Sequence, residues 1–279
     1  MKRLLAPAVA AVVIIIIAAT TLRAPGPEHP PVWTDPASGI ELRRVSAGRF
    51  RMGTPPAESG REPQEVLHEV TLTRPFYLGT YEVTQKQWAA VMGTNPSHFQ
   101  SCTTCPVERV SFHDVEAFIA RLNERSGPGF RLPTEAEWEY ACRAGGVEPF
   151  GGSSSLSSRD ANIDGAHPYN GPKGTARNKT TRVGHFAANT WGFFDMSGNV
   201  WEWTSDRHCP YTTGALAPAL LGHLDAGHVT DPIGSCASDH RVIRGGSWKF
   251  GASSARCGLR YTHRPPDRGY SLGFRLAHD

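Results

Sequence analysis

The chain has 279 residues, with 29 lysines and arginines against 26 aspartates and glutamates for a net charge of +3. That length supports one large domain or two small ones with a real core, and balanced, dispersed charge leaves no electrostatic footprint for nucleic acid. With 29 glycines and 22 prolines but no collagen period or low-complexity tract, the composition points to a compact, turn-rich fold with modest regular structure.

At the N-terminus, Lys2 and Arg3 precede the apolar run Leu4 to Leu22. Residues 1–24 therefore read as an export signal or, lacking an A-x-A site before Arg23, as a retained inner-membrane anchor. Either form places the remainder in the periplasm or another extracytoplasmic space. Residues 25–39 are proline-rich and read as a stiff linker, so the folded domain is expected at 40–279. Three helix starts follow from capping chemistry, in which a hydroxyl accepts from the third amide and an acid or amide side chain reaches back. They are Thr84 with Gln87, Ser111 with Asp114, and Thr134 with Glu137, and each run ends at glycine. In the second, Val115, Phe118, Ile119 and Leu122 fall at helical spacing, which predicts one apolar stripe on a core. Short β-type runs such as "EVTLTRPFYLGTYEV" and "HRVIRGGSW" lie around them, giving an α+β pattern without β-α-β alternation.

The stretches "GRFRMGT", "YEVTQKQWAAVMGTNPSHF", "CPVERVSFHDVEAFIARLN", "FRLPTEAEWEYACRAG", "GFFDMSGNVWEWTSD", "RVIRGGSW" and "GFRLA" occur in an order that resembles the formylglycine-generating enzymes, or sulfatase-modifying factors, from about residue 40 onward. The resemblance implies a single irregular α+β domain related to the C-type-lectin architecture. It also implies chemistry at two cysteines just after the GGSW element, which in the family bind copper and oxidise a sulfatase cysteine to formylglycine. Here the first of those positions is Phe250, and "GASSAR" at 251–256 holds no cysteine. A soft copper ion needs thiolates side by side, so no catalytic residue is assigned and copper is not expected.

The same resemblance pairs Cys257 with Cys142, which would make it a staple rather than a nucleophile. In an exported chain the remaining cysteines also favour bridges: Cys102 with Cys105 in a tight local loop, and Cys209 with Cys236 flanking a long insertion. The family's structural calcium maps onto Asp195, Gly198, Val200 and Glu202, an oxygen shell suited to that ion; the plainer reading is a turn with Glu202 in an ordinary salt bridge. A second family calcium site would use Asn162 and Ile163, but its downstream aspartate is lost in "YNGPKGTARNKTT". Trp201 and Trp203, at strand period two, project to one face. The residues matching Trp201, Ser247 and Arg260 line the family's substrate cleft; the alternative is that Ser247 and Arg260 satisfy buried backbone groups.

Twelve histidines include no H-E-x-x-H, and His223 and His228 are spaced wrongly for one helix face. Three functions follow. The first, preferred, is an exported, monomeric relative without the cysteine pair that binds a peptide or peptide-derived molecule, as in oxidative maturation of peptide siderophores. The others are a true formylglycine-forming oxidase and a non-enzymatic envelope assembly factor.

Overall fold

The computed structural model describes residues 31–211 and 226–279. The expected signal or anchor at 1–24 lies outside them, as do His223 and most of the insertion between Cys209 and Cys236. Among the described residues no helix is long and apolar enough to cross a membrane.

A five-stranded sheet is built from β1 (Val32–Thr34), β2 (Glu41–Val45), β5 (Phe76–Gly79), β12 (Ala277–His278) and β6 (Phe130–Arg131), in that spatial order. A three-stranded sheet joins β3 (Gly48–Met52), β4 (His68–Leu72) and β8 (Ala226–Thr230). A four-stranded sheet runs β10 (Tyr261–His263), β9 (Arg241–Arg244), β7 (Trp201–Arg207) and β11 (Leu272–Gly273). The helices are α1 (Gln85–Met92), α2 (Phe112–Ser126) and α3 (Glu135–Arg143), with one 3-10 turn at Ala252–Ala255.

All three capping boxes form. Gly93 and Gly127 end α1 and α2, whereas α3 closes one residue before its glycine, on Ala144 in a left-handed conformation. In α2 the stripe Val115, Phe118 and Leu122 is buried and Ile119 partly so, against Trp88 of α1 and Phe274. The domain also begins earlier than its prolines suggest. Val32–Thr34, inside the expected linker, pairs antiparallel with β2. Trp33 packs there on Phe130 at 5.9 Å and on His278 at 5.1 Å, so aromatic burial recruits the strand between Pro31 and Pro36.

α3 departs most from pattern. Every one of its residues is buried, including Glu135, Glu137, Glu139 and Arg143. Buried charge is tolerated only when paired, and the rest of the chain supplies the partners: Arg260 for Glu135, Arg131 for Glu137, and Arg143 with Arg244 for Glu139. A separate buried pair joins Arg256 to Glu65.

Candidate functional site

The turn before β7 is pinned from beneath. Asp195 (φ 55°) and Asn199 (φ 61°) both adopt left-handed backbone, a conformation short polar side chains accept better than most. Asn199 donates to Glu82 Oε2 (2.6 Å) and accepts from Asn162 Nδ2 (3.1 Å) and Thr181 N (3.0 Å). Glu82 also takes the amide of Val200. Burial, then Asp195 and Glu202, push Glu82 well above the ordinary carboxylate range. Burial is likewise the main cause that lifts Asp195 to about 6, against a hydrogen bond from Gly184 N.

Strand alternation turns Glu202 away from Trp201, into the interior. Its Oε2 accepts from Trp138 Nε1 (2.7 Å) and Arg275 Nε (2.6 Å), and its Oε1 from Arg275 Nη2 (2.7 Å). Arg275 also donates to the carbonyls of Gly79 and Phe194. The plainer sequence reading, a salt-bridged Glu202, is the one the geometry matches. Glu202 does not fit a calcium ion, because the guanidinium occupies both carboxylate oxygens. Gly198 and Val200 would then offer only carbonyls, and Asp195 one free oxygen. At the second expected site, Asn162 Nδ2 is spent on Lys179 O and Asn199, leaving its Oδ1 buried without a donor. One orphan oxygen beside Ile163 falls far short of a six- to eight-oxygen calcium shell, and among the described residues no cluster of three or more acidic, histidine or cysteine side chains converges on a cation site.

The opposite face of β7 carries the cleft. There Trp201 is buried beneath Tyr261 of β10, stacked on it at 5.6 Å, and Phe250, edge-on at 5.9 Å. Phe250 is 41% and Tyr261 55% exposed. The GGSW turn sets this wall. Gly246 (φ 71°) brings its Cα so close to Ser254 O and Ala255 that a Cβ would lie within 2.9 Å of them, so only glycine fits. Phe250 N closes the turn on Ser247 O, and Trp248 donates to Tyr270 O. His98 lies 4.6 Å from the Tyr270 ring and Phe99 5.6 Å from Trp248, extending an aromatic rim. Ser247 Oγ is buried there without a partner.

Arg260 is not part of this cleft. It adjoins Tyr261, so strand alternation sends it to the other face. There it forms a double hydrogen bond with Glu135 (2.8 and 2.7 Å), reaches Cys209 O and stacks 3.8 Å over Tyr211. Of the three expected cleft residues, Trp201 meets Phe250, whose amide closes the turn on Ser247 O, while Arg260 faces Glu135 and its neighbour Tyr261 packs on Trp201. The period-two pair Tyr261 and His263 carried that signal. Arg275 and Glu82, the centre of the buried cluster, sat unread inside "GFRLA" and "YEVT".

All six cysteines are bridged: Cys142 to Cys257, Cys102 to Cys105, and Cys209 to Cys236, with Cα separations of 5.7, 5.3 and 5.8 Å. Three disulfides mark a fold made in an oxidising, extracytoplasmic compartment. His228 is exposed on β8, where it bonds Thr71 Oγ1 at 2.8 Å.

An α+β domain with this buried turn and this GGSW wall belongs to the sulfatase-modifying factor family: residues 33–279 match the family described as "Sulfatase-modifying factor enzyme 1-like domain". The chain is 31% identical over 222 residues to the formylglycine-generating enzyme of Mus musculus, covering 76% of this chain and 54% of that protein. It is 33% identical over 179 residues to hercynine oxygenase of Mycolicibacterium smegmatis, covering 62% and 37%. The solved structure of PvdO from Pseudomonas aeruginosa superposes with a TM-score of 0.75 at 30% identity, covering 90% and 99%. The chain spans about half the length of the curated formylglycine-generating enzymes it matches.

Proposed function

We propose that the protein recognises a peptide or peptide-derived molecule in the aromatic cleft over Trp201 and serves an oxidative maturation step, such as that of a peptide siderophore, without a cysteine-ligated copper. One observation carries the reading. Every cysteine is held in a disulfide, while Phe250 stands edge-on to Trp201 at the position where the family's first catalytic cysteine is expected. Exposed rings of Tyr261 and Phe250, held in place over the buried Trp201, suit stacking against side chains or rings of a substrate. Kinship with a formylglycine-generating enzyme and an oxygenase supports oxidation as the class of step. The family's calcium role at Glu202 passes, in this reading, to the Arg275 guanidinium.

Purified protein incubated with a sulfatase-type cysteine peptide, oxygen and copper is expected to leave the peptide unchanged by mass spectrometry; an aldehyde product overturns the proposal. Titration with tyrosine-containing peptides, followed by tryptophan fluorescence, is expected to saturate and to weaken about tenfold in Tyr261→Ala, the scale of one aromatic pair. If such peptides leave the fluorescence unchanged, the envelope assembly role gains instead.

A further inference from the structure

A cleft of about 640 Å³ lies apart from the aromatic cluster. It lies between the segments 150–161 and 185–197, and its walls carry Arg159, Arg177, His185, Asp160, Asn189 and Asp195; Trp201, Ser247 and Phe250 are absent from them. Its size falls within the usual range for small-molecule sites.

Arg177 is the feature that asks for a ligand. The buried arginines Arg244, Arg256, Arg260 and Arg275 are each paired with a glutamate. Arg177, half-buried, has no acidic partner among the described residues; its guanidinium lies 5.0 Å from the Phe186 ring centroid, and its Nη1 atom is buried without any acceptor. Leaving a charged N–H buried and unpaired is costly, and Phe186 packs against the guanidinium. A planar guanidinium presents two parallel N–H groups that match the two oxygens of a carboxylate. Arg159, exposed on the same wall, adds a second unpaired cation.

The rest of the lining narrows the class. Asp195 uses only Oδ2, for Gly184 N, and Asp160 uses only Oδ2, for Ser157. Two carboxyl groups with a free oxygen therefore share the cleft with the two arginines. A multiply charged phosphate would meet repulsion from them, whereas a single carboxylate attached to an ammonium or amide N–H finds both an anchor and an acceptor. We propose that this cleft is a second ligand site, for a carboxylate carrying a neighbouring N–H donor: an amino acid or the C-terminal residue of a peptide, anchored by Arg177. The site is independent of the aromatic cleft and of the oxidative reading.

The test is a titration of the ¹⁵N-labelled protein with alanine, alaninamide, trialanine and sodium sulfate, following backbone amides. Alanine or trialanine is expected to shift signals from residues 150–161 and 185–197, and the tighter of the two identifies the source. Alaninamide, which lacks the carboxylate, is expected to bind at least about tenfold more weakly, as loss of a charge-assisted hydrogen-bonded pair implies. Arg177→Gln, with an unchanged melting midpoint, is expected to weaken alanine or trialanine by a similar factor, and Arg177→Lys to fall between. Equal binding of alanine and alaninamide, a response to sulfate alone, shifts confined to other regions, or no shift at the highest soluble concentration overturns the proposal; the amide arm decides the matter even if the Arg177→Gln protein does not fold.

Discussion

Arg275→Met tests whether the buried cation, rather than a metal, balances the carboxylates beneath the Trp201 strand. Arg275 is fully buried and makes two hydrogen bonds to Glu202, at 2.6 and 2.7 Å, and one each to the carbonyls of Gly79 (3.0 Å) and Phe194 (2.9 Å). Asp195 lies close enough to add to the charge it offsets. Methionine preserves much of the volume but leaves Glu202 as an orphan buried charge, a loss of about 3 to 5 kcal/mol. Two carbonyls stripped of a donor add about 1 kcal/mol each. The expected total, about 5 to 7 kcal/mol, equals a large part of the stability of an ordinary domain and lowers the melting midpoint by roughly 10–28 °C for a chain of this size. Urea unfolding at neutral pH, read by far-ultraviolet circular dichroism, measures it. The companion Glu202→Gln/Arg275→Met protein removes both charges and is expected to recover at least about 2 kcal/mol relative to the sum of the single changes. A loss below about 1 kcal/mol in Arg275→Met, or strict additivity in the pair, refutes the reasoning.

Calcium supplies an independent check: a chelator is expected to leave the melting midpoint of the wild-type protein unchanged, and a drop that added calcium reverses would return the Glu202 turn to a metal site. Replacing Cys142 and Cys257 together by alanine opens a loop with a sequence separation of 115 residues. The chain-entropy model then gives a loss of about 4 to 5 kcal/mol in urea unfolding, and a loss under about 1 kcal/mol would show that native packing alone holds the two segments together. Asp206 is lifted from 3.8 to about 6, chiefly by burial and then by Glu135. Between those values the folded chain keeps a proton that the unfolded chain has released, so this group's contribution to stability declines as pH rises. Asp206→Asn cannot titrate, and whatever constant loss its amide brings, its stability relative to wild type is expected to improve by roughly 2 to 3 kcal/mol between pH 4 and pH 7; parallel pH profiles for the two proteins would show that Asp206 does not titrate in this range.

Local rules were readable where the chain satisfies itself. Thr84, Ser111 and Thr134 each cap a helix within four residues, and the Val115, Phe118 and Leu122 stripe follows from helical period alone. Trp201 and Trp203 share a face because β-strands alternate. The Cys142–Cys257 bridge came from kinship rather than spacing, since nothing local joins residues on opposite sides of the insertion. Trp33 went unread because prolines dominate its neighbourhood, and only Phe130 and His278, brought over by other strands, give its ring a place to pack.

The sequence by itself determined the helix starts, the α+β class, the absence of a thiol pair after GGSW and the export-type cysteine content, because capping, periodicity and residue identity act over a few positions. The tertiary structure alone decided where the charges go: that α3 is buried on every side, that Arg275 faces Glu202, that Arg260 turns to Glu135 while Tyr261 packs over Trp201, and that Arg177 is left without an acidic partner. Pairing of buried charge depends on which distant segments meet in a low-dielectric interior, and that is settled only when the sheets assemble.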